Sequence, residues 1–347
     1  MSLPGTEALD AILRALSGSF LAFLLALYGT PIAAKAAIEF GIVDRPDGGL
    51  KRHREPVPYL GGLALYVPFL LALAFVFEFD RRVLGILLGG TIVVLLGLID
   101  DFGVLGPGPK FLGQLVAAWV LVKSDIAIHI AVLPEWITVP LSVLWIVGVA
   151  NAFNIIDIMD GLAAGTGLIA SVFLLAISVL NGQSAIAILT AVLAGALLGF
   201  LRYNYHPARI FMGDCGSLFL GMTLAALAMI GKYDQHNSVG YLSPLLILAV
   251  PLFDTVFVMV LRLLKGISPF RGSPDHFALR LRRAGLSVRG VVNRTYAAGV
   301  ILGALALWNL FLTERQSLTL MGVAAALMLA AAVALGRAPA PEPGRGA

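Results

Sequence analysis

A chain of 347 residues that is 59% hydrophobic and only 13% charged departs from a soluble domain, which averages about 45–50% apolar and about 25% charged, so a water-soluble enzyme is excluded. A formal net charge of +4, with no basic stripe interleaved with aromatics, leaves no footprint for nucleic acid. The single cysteine, Cys215, rules out an intrachain disulfide.

Each bilayer crossing needs about 20 mostly apolar residues, and lipid tolerates no unpaired backbone, so the expected fold is all-α and polytopic. Residues 1–16 read as a short amphipathic lead-in. They lack a basic segment followed by a cleavage site, so the first span, 17–38, is expected to be retained. Further spans are expected at 59–77, 83–99, 111–122, 136–153 and 162–180, then from the turn at 181–184 to residue 201. The last four lie at 217–230, 242–264, 291–312 and 318–335. The total is about eleven transmembrane helices in one domain, 1–337, with a Pro/Gly-rich tail, 338–347, expected to be disordered. Loops after odd spans carry Arg45, Lys51, Arg52, Arg54, Lys110, Arg202, Arg209 and the basic run from Lys265 to Arg289. Loops after even spans are poorer in Lys and Arg. The positive-inside rule therefore places the odd loops and the C-terminus in the cytoplasm and the N-terminus outside.

The polar stretches gather on that cytoplasmic side. The third span ends in adjacent Asp100 and Asp101. Two ionised carboxylates at a hydrocarbon boundary are costly and call for a compensating charge, most simply a divalent cation on oxygen ligands. The plainer reading is a solvated acidic helix end. Lys110 follows a Gly/Pro turn, and Gln114 lies one helical turn beyond it. Asn151, Asn154, Asp157 and Asp160 recur every three residues and form one polar stripe if helical. Amide and carboxylate oxygens are hard ligands of the kind Mg²⁺ takes, and four aligned polar groups exceed what a helix cap needs. Gly213-Asp214-Cys215-Gly216-Ser217 sets a carboxylate and a hydroxyl at the start of an apolar helix. That suits a phosphate or metal–phosphate, but also an ordinary cap. Asn204 is ambiguous alone, and Cys215 reads as a small packing residue. His276 lies in a loop with Arg280, Arg282 and Arg283. The His suits proton transfer or phosphate contact and the arginines an anionic headgroup or diphosphate, unless the loop is only a basic anchor. Asp254, inside the ninth span, is expected to face the bundle interior with Arg262 as its partner.

Taken in order, Gly97-Leu-Ile-Asp-Asp101, the run from Asn151 to Leu162, Phe211-Met-Gly-Asp-Cys-Gly-Ser217 and Ser273-Pro-Asp-His276 resemble the polyprenyl-phosphate N-acetylhexosamine-1-phosphate transferases. Val43-Asp-Arg-Pro46 and the run from Lys51 to Gly62 are similar to that family's first cytoplasmic loop, so the resemblance covers about 41–286. It implies a Mg²⁺-dependent enzyme, with Mn²⁺ as a substitute, in the inner (plasma) membrane of a bacterium. There a polyprenyl phosphate attacks the β-phosphorus of a UDP-sugar, giving polyprenyl-diphospho-sugar and UMP. By position it implies Asp214 and Asn154 at the metal, and Asp100 and Asp101 at the lipid phosphate, one as base or beside the metal. Lys110 matches the lysine after that pair. Arg54, Asp157, Asp160 and Asn204 match nucleotide-contacting positions. His276 matches the first His of a His-x-His-His-Arg loop, with Arg280 on the substrate phosphates, and a homodimer is compatible with the reading.

Two departures stand out. Ala278 and Leu279 replace two histidines of that loop, which favours the branch using a smaller UDP-HexNAc, GlcNAc or a relative, over the muramyl-pentapeptide branch. Ile158 replaces a glycine and is expected to alter the turn near the nucleotide. The alternatives are a secondary transporter using Asp254 and the Asn/Asp stripe as an ion path, and a catalytically altered relative. Transporters place their sites at the midplane between repeats, whereas these acids lie at one surface and no repeat is evident.

Overall fold

Apolar runs punctuated by Gly, Pro and charge become helices throughout. The computed structural model describes residues 4–44, 57–77, 80–128, 133–235, 237–268 and 274–337. The order is α1 (Pro4–Glu39), α2 (Gly61–Val76), α3 (Arg81–Asp101), α4 (Pro107–Lys123), α5 (Glu135–Ile156), α6 (Leu162–Leu180) and α7 (Ser184–Asn204). There follow α8 (Gly213–Met229), a 3₁₀ turn (Ser238–Leu242), α9 (Ser243–Ile247), α10 (Ala249–Leu264), α11 (Phe277–Arg283), α12 (Val288–Asn309) and α13 (Glu314–Arg337). Among the described residues the only strand pairing is Val43–Asp44 antiparallel to Val57–Pro58. The protein is an all-α polytopic membrane protein.

Every expected span coincides with a helix, but their lengths differ. Among the described residues, seven helices are long and apolar enough to cross a bilayer, or eight if the bent α9–α10 pair is one span. The rest are shorter, α2 with 16 residues and α4 and α8 with 17 each. Two details of the sequence reading change. The lead-in is no separate element, because α1 runs unbroken for 36 residues. The ninth span is broken, with α10 turned 73° from the preceding segment. Pro251 explains the break, since it has no N–H for the Ile247 carbonyl and its ring crowds that group.

The short α8 is the axis of the bundle. All of its 17 residues except Asp214 and Met229 are buried. A helix apolar on every side belongs in a core. Helices α2, α3 and α5 pack against it, α4 lies against α3 and α5, and α10 leans on α5. Helix α1 runs along α7, and α12 covers α6. At the other extreme, α13 buries only Ser317 and Ala324, leaving Leu318, Val323, Leu327, Leu329 and Val333 exposed as an apolar face suited to lipid. Cys215 is 1% exposed, the packing residue its type implied.

Candidate active site

Four helix ends meet at the start of α8. Gly213, at φ +69°, turns the chain into α8 and brings Asp214 to the first turn. Gly97 of α3 lies so near that a Cβ there would sit 2.4 Å from the Cys215 nitrogen. One turn further along α3, Asp101 holds the same backbone. Its Oδ1 accepts from the Asp214 N–H at 2.8 Å and its Oδ2 from the Cys215 N–H at 3.2 Å. An acid capping otherwise unpaired amides at a helix N-terminus is favoured by both hydrogen bonding and the helix dipole.

Asp214 itself faces two donors. Lys110, from the first turn of α4, pairs with its Oδ2, and the Asn154 amide donates to its Oδ1 at 2.8 Å. The same Lys110 ammonium lies 2.7 Å from Asp100 Oδ2. Asn154 also donates to Ser217 Oγ at 3.0 Å. The registry of α4 against α5 is set one turn deeper, where Asn151 Nδ2 donates to Gln114 Oε1 at 2.5 Å and the Gln114 amide returns a bond at 3.4 Å. Lys110 and Gln114 are four residues apart and Asn151 and Asn154 three, so one amide pair delivers both outer side chains to Asp214. Asp100, Lys110, Asn154 and Asp214, expected from sequence to act together, are brought together.

The turn between α5 and α6 completes the cluster. Asp157 follows the last turn of α5; burial pushes its carboxyl up to about 8, and Asp214, Asp101 and Asp160 add to the rise. Asp160 accepts from His206 Nδ1 at 2.6 Å and from the Ala208 N–H at 3.0 Å. Asn204 accepts from the Gly161 N–H at 3.2 Å and donates to the Ile210 carbonyl at 3.0 Å. Tyr296 of α12 donates to the Gly161 carbonyl at 2.6 Å. Asp160 and Asn204 thus shape the turn by tying it to the 204–210 segment. His206 and Tyr296 were not singled out from the sequence; the one signal was the polar run Asn204 to His206. Ile158 does not distort this turn. The left-handed position is Gly161, at φ +77°, while Ile158 keeps an ordinary φ and packs on the core.

The remaining residues lie elsewhere. His276 Nδ1 donates to Asp254 Oδ2 at 2.7 Å, so the partner of Asp254 is His276 rather than the expected Arg262, which instead reaches the Ser268 carbonyl at 3.2 Å. Arg280 is 2% exposed and committed to Asp275 at 2.8 Å and to the Leu335 carbonyl of α13 at 2.9 Å. Burial opposes ionisation of Asp275, but Lys265 and Arg280 outweigh it and hold the carboxyl below its usual range. The hydrogen bond that His276 makes thus runs to Asp254 and not to the Asp214 cluster. Arg54, Ser273 and the tail 338–347 lie outside the described residues.

The cluster therefore holds Asp100, Asp101, Asp157, Asp160 and Asp214 against Lys110 and His206. Among the described residues no three His, Cys, Asp or Glu side chains converge to hold an ion unaided. That does not disqualify Mg²⁺, which usually takes one or two carboxylates and completes its shell with waters and substrate phosphates. Surplus carboxylates with hard oxygen donors fit such an ion. One consequence is measurable. An unfolded Asp releases its proton near 3.8, while folded Asp157 keeps it to about 8. Between those values only the folded state holds the proton, so the metal-free protein loses stability as pH rises through the window. Melting temperatures in EDTA should fall from pH 5 to pH 8, and Mg²⁺ should raise them more at pH 8 than at pH 5.

Residues 83–232 match the profile of glycosyl transferase family 4. The chain is 36% identical to a probable undecaprenyl-phosphate N-acetylglucosaminyl 1-phosphate transferase of Bacillus subtilis (strain 168), over 84% of each chain. It is 32% identical to a decaprenyl-phosphate N-acetylglucosaminephosphotransferase of Mycolicibacterium smegmatis, over 87% of this chain and 84% of that one. A phospho-N-acetylmuramoyl-pentapeptide-transferase of Halalkalibacterium halodurans is 32% identical over 78% of this chain and 89% of its own. The two N-acetylglucosamine relatives thus match more of this chain than the muramoyl one does, in line with Ala278 and Leu279. The chain belongs to glycosyl transferase family 4 and, within it, to the polyprenyl-phosphate N-acetylglucosamine-1-phosphate transferase type.

Proposed function

We propose that the protein transfers HexNAc-1-phosphate, GlcNAc-1-phosphate or a close relative, from its UDP ester to a polyprenyl phosphate, starting a cell-envelope glycan at the inner face of the bacterial plasma membrane. An oxygen of the lipid phosphate bonds to the β-phosphorus of the UDP-sugar. The bond from that phosphorus to the bridging oxygen breaks, and the oxygen leaves with UMP. The observation that carries the reading is Lys110 joining Asp100 and Asp214 across the ends of three apolar helices. A hydrophobic bundle has no structural need for such a cluster, whereas two phosphates reacting at a lipid boundary need charge on both signs.

The residues divide the work. Lys110 offsets phosphate charge where water is scarce. Asp101 fixes the α8 N-terminus by capping its amides, and so holds Asp214 in place. Asp214 and the Asn154 oxygen would hold Mg²⁺ or Mn²⁺, which supplies charge neutralisation of the diphosphate when bound. Asp100 stands beside the acceptor phosphate, and the family resemblance assigns Arg54 to the nucleotide. Asp157 lines the nucleotide pocket, whose wall Asp160 and Asn204 hold in shape. His276 contacts the phosphates through the ring edge left free by Asp254. Asp254, the acid of the transporter reading, is instead engaged by His276 and by the Phe277 N–H.

The test is release of labelled UMP from purified protein given Mg²⁺, polyprenyl phosphate and a panel of UDP-sugars. Release that requires both lipid and metal, and that falls at least 100-fold in Asp100→Asn, is expected. Release independent of lipid, or uptake of solute into vesicles without UMP, would overturn the reading.

A further inference from the structure

We propose that Asp254 is a positioning residue for the transfer, fixing the orientation and tautomer of His276 so that only Nε2 meets the substrate phosphates. The inference rests on the proposed function and goes beyond it, since it gives a working role to an acid buried inside a membrane helix. Asp254 is 0% exposed and His276 7%. The carboxylate takes one bond from the ring, Nδ1 at 2.7 Å, and one from the next backbone amide, Phe277 at 2.9 Å. These two bonds define both where the ring starts and how it is rotated. A buried carboxylate able to accept only fixes a proton on Nδ1 and leaves Nε2 as the opposite edge. Nε2 has no hydrogen-bond partner among the described residues, yet it is not among the buried polar atoms left without one, so it remains accessible.

The surroundings hold the pair still. Phe253 and Phe277, each next in sequence to a member of the pair, meet edge to face with centroids 6.2 Å apart. Asp275, next to His276, is gripped by Lys265 at 2.6 Å and Arg280 at 2.8 Å. A basic anchor loop would need neither a buried acid nor a ring held from two sides. Ring orientation by an acceptor on the far nitrogen is a general device, and loss of such an acceptor costs rate through the wrong tautomer.

Asp254→Asn presents an NH₂ to Nδ1 and should reverse the tautomer. The chain has five histidines, so ¹⁵N-histidine labelling, with His276→Gln to assign the signal, reads the tautomer directly. Expected are a protonated Nδ1 in the parent protein and its loss in Asp254→Asn. In UMP release, kcat should fall 10- to 100-fold with KM for the UDP-sugar changed less than threefold. Asp254→Glu should recover part of kcat, and Asp254→Asn/His276→Gln should be no slower than His276→Gln alone. An unprotonated Nδ1 in the parent, an unchanged kcat in Asp254→Asn, or additive losses in the double variant would each overturn the proposal. Absence of UMP release from the parent protein would strike the proposed function instead, while the tautomer still decided whether Asp254 orients the ring.

Discussion

Asp214→Asn is expected to slow UMP release by about 10²- to 10³-fold, the scale on which one preorganised electrostatic group acts in a dry site. The reason is geometric as well as electrostatic. Asp214 receives Lys110 on one oxygen and Asn154 on the other, so both acceptors are in use. An amide can satisfy only one of these donors and turns its own NH₂ against the other. The negative charge that offsets Lys110 and would bind the cation is lost as well. Folding should suffer little, because Lys110 keeps Asp100 and the crowding among Asp100, Asp101 and Asp157 is relieved. Melting temperature in detergent and UMP release from the same preparation check this. Release within tenfold of the parent protein would count against Asp214 as the centre of the site.

Gly97→Ala is expected to destabilise the protein by about 3 kcal/mol and abolish activity, the upper end for forcing an extra methyl into a packed core. The new Cβ would lie 2.4 Å from the Cys215 nitrogen and 2.5 Å from the Asp214 carbonyl carbon, both backbone atoms that cannot swing aside. Helix α3 or the start of α8 must retreat. Asp101, one turn away on the same face, would then lose its two bonds to the α8 amides. Gly148→Ala in α5 is the control, since nothing lies within 4 Å of a Cβ there. That variant should be neutral or gain about 0.4–1 kcal/mol from reduced chain freedom in the unfolded state. Thermal inactivation of both variants in one detergent makes the comparison, and equal midpoints would refute the close-approach argument.

The two parts of the molecule were legible to different degrees. Span positions could be read because hydropathy over about 20 residues is a local property, and every span but the ninth became a single helix. The break in the ninth span was missed although Pro251 marked it, since the apolar count masks a backbone defect. Lys110, Asn154 and Asp214 were identifiable because each sits at the end of an apolar run, where a charge or amide has no packing role. Their mutual contacts were not, because the registry of α4 on α5 depends on the Gln114–Asn151 pair, 37 positions apart. Asp254 was assigned to Arg262, two helical turns along α10, on the expectation that a buried acid finds a nearby base. The actual partner, His276, stands 22 positions on in sequence, just before α11, and linear spacing carries no trace of that contact. Arg280 was read as a phosphate ligand because arginine near a basic loop usually is, but its burial depends on α13, whose position no local pattern encodes.

That dependence has a consequence for biogenesis. Arg280 donates to the carbonyls of Leu335 and Gly336, 55 and 56 positions downstream. Through Asp275 it steadies the segment that presents His276. While the ribosome has yet to release α13, the arginine has no such carbonyls to meet and a buried cation is left without them. The segment that carries His276 is therefore expected to reach its complete hydrogen bonding only once α13 is in place.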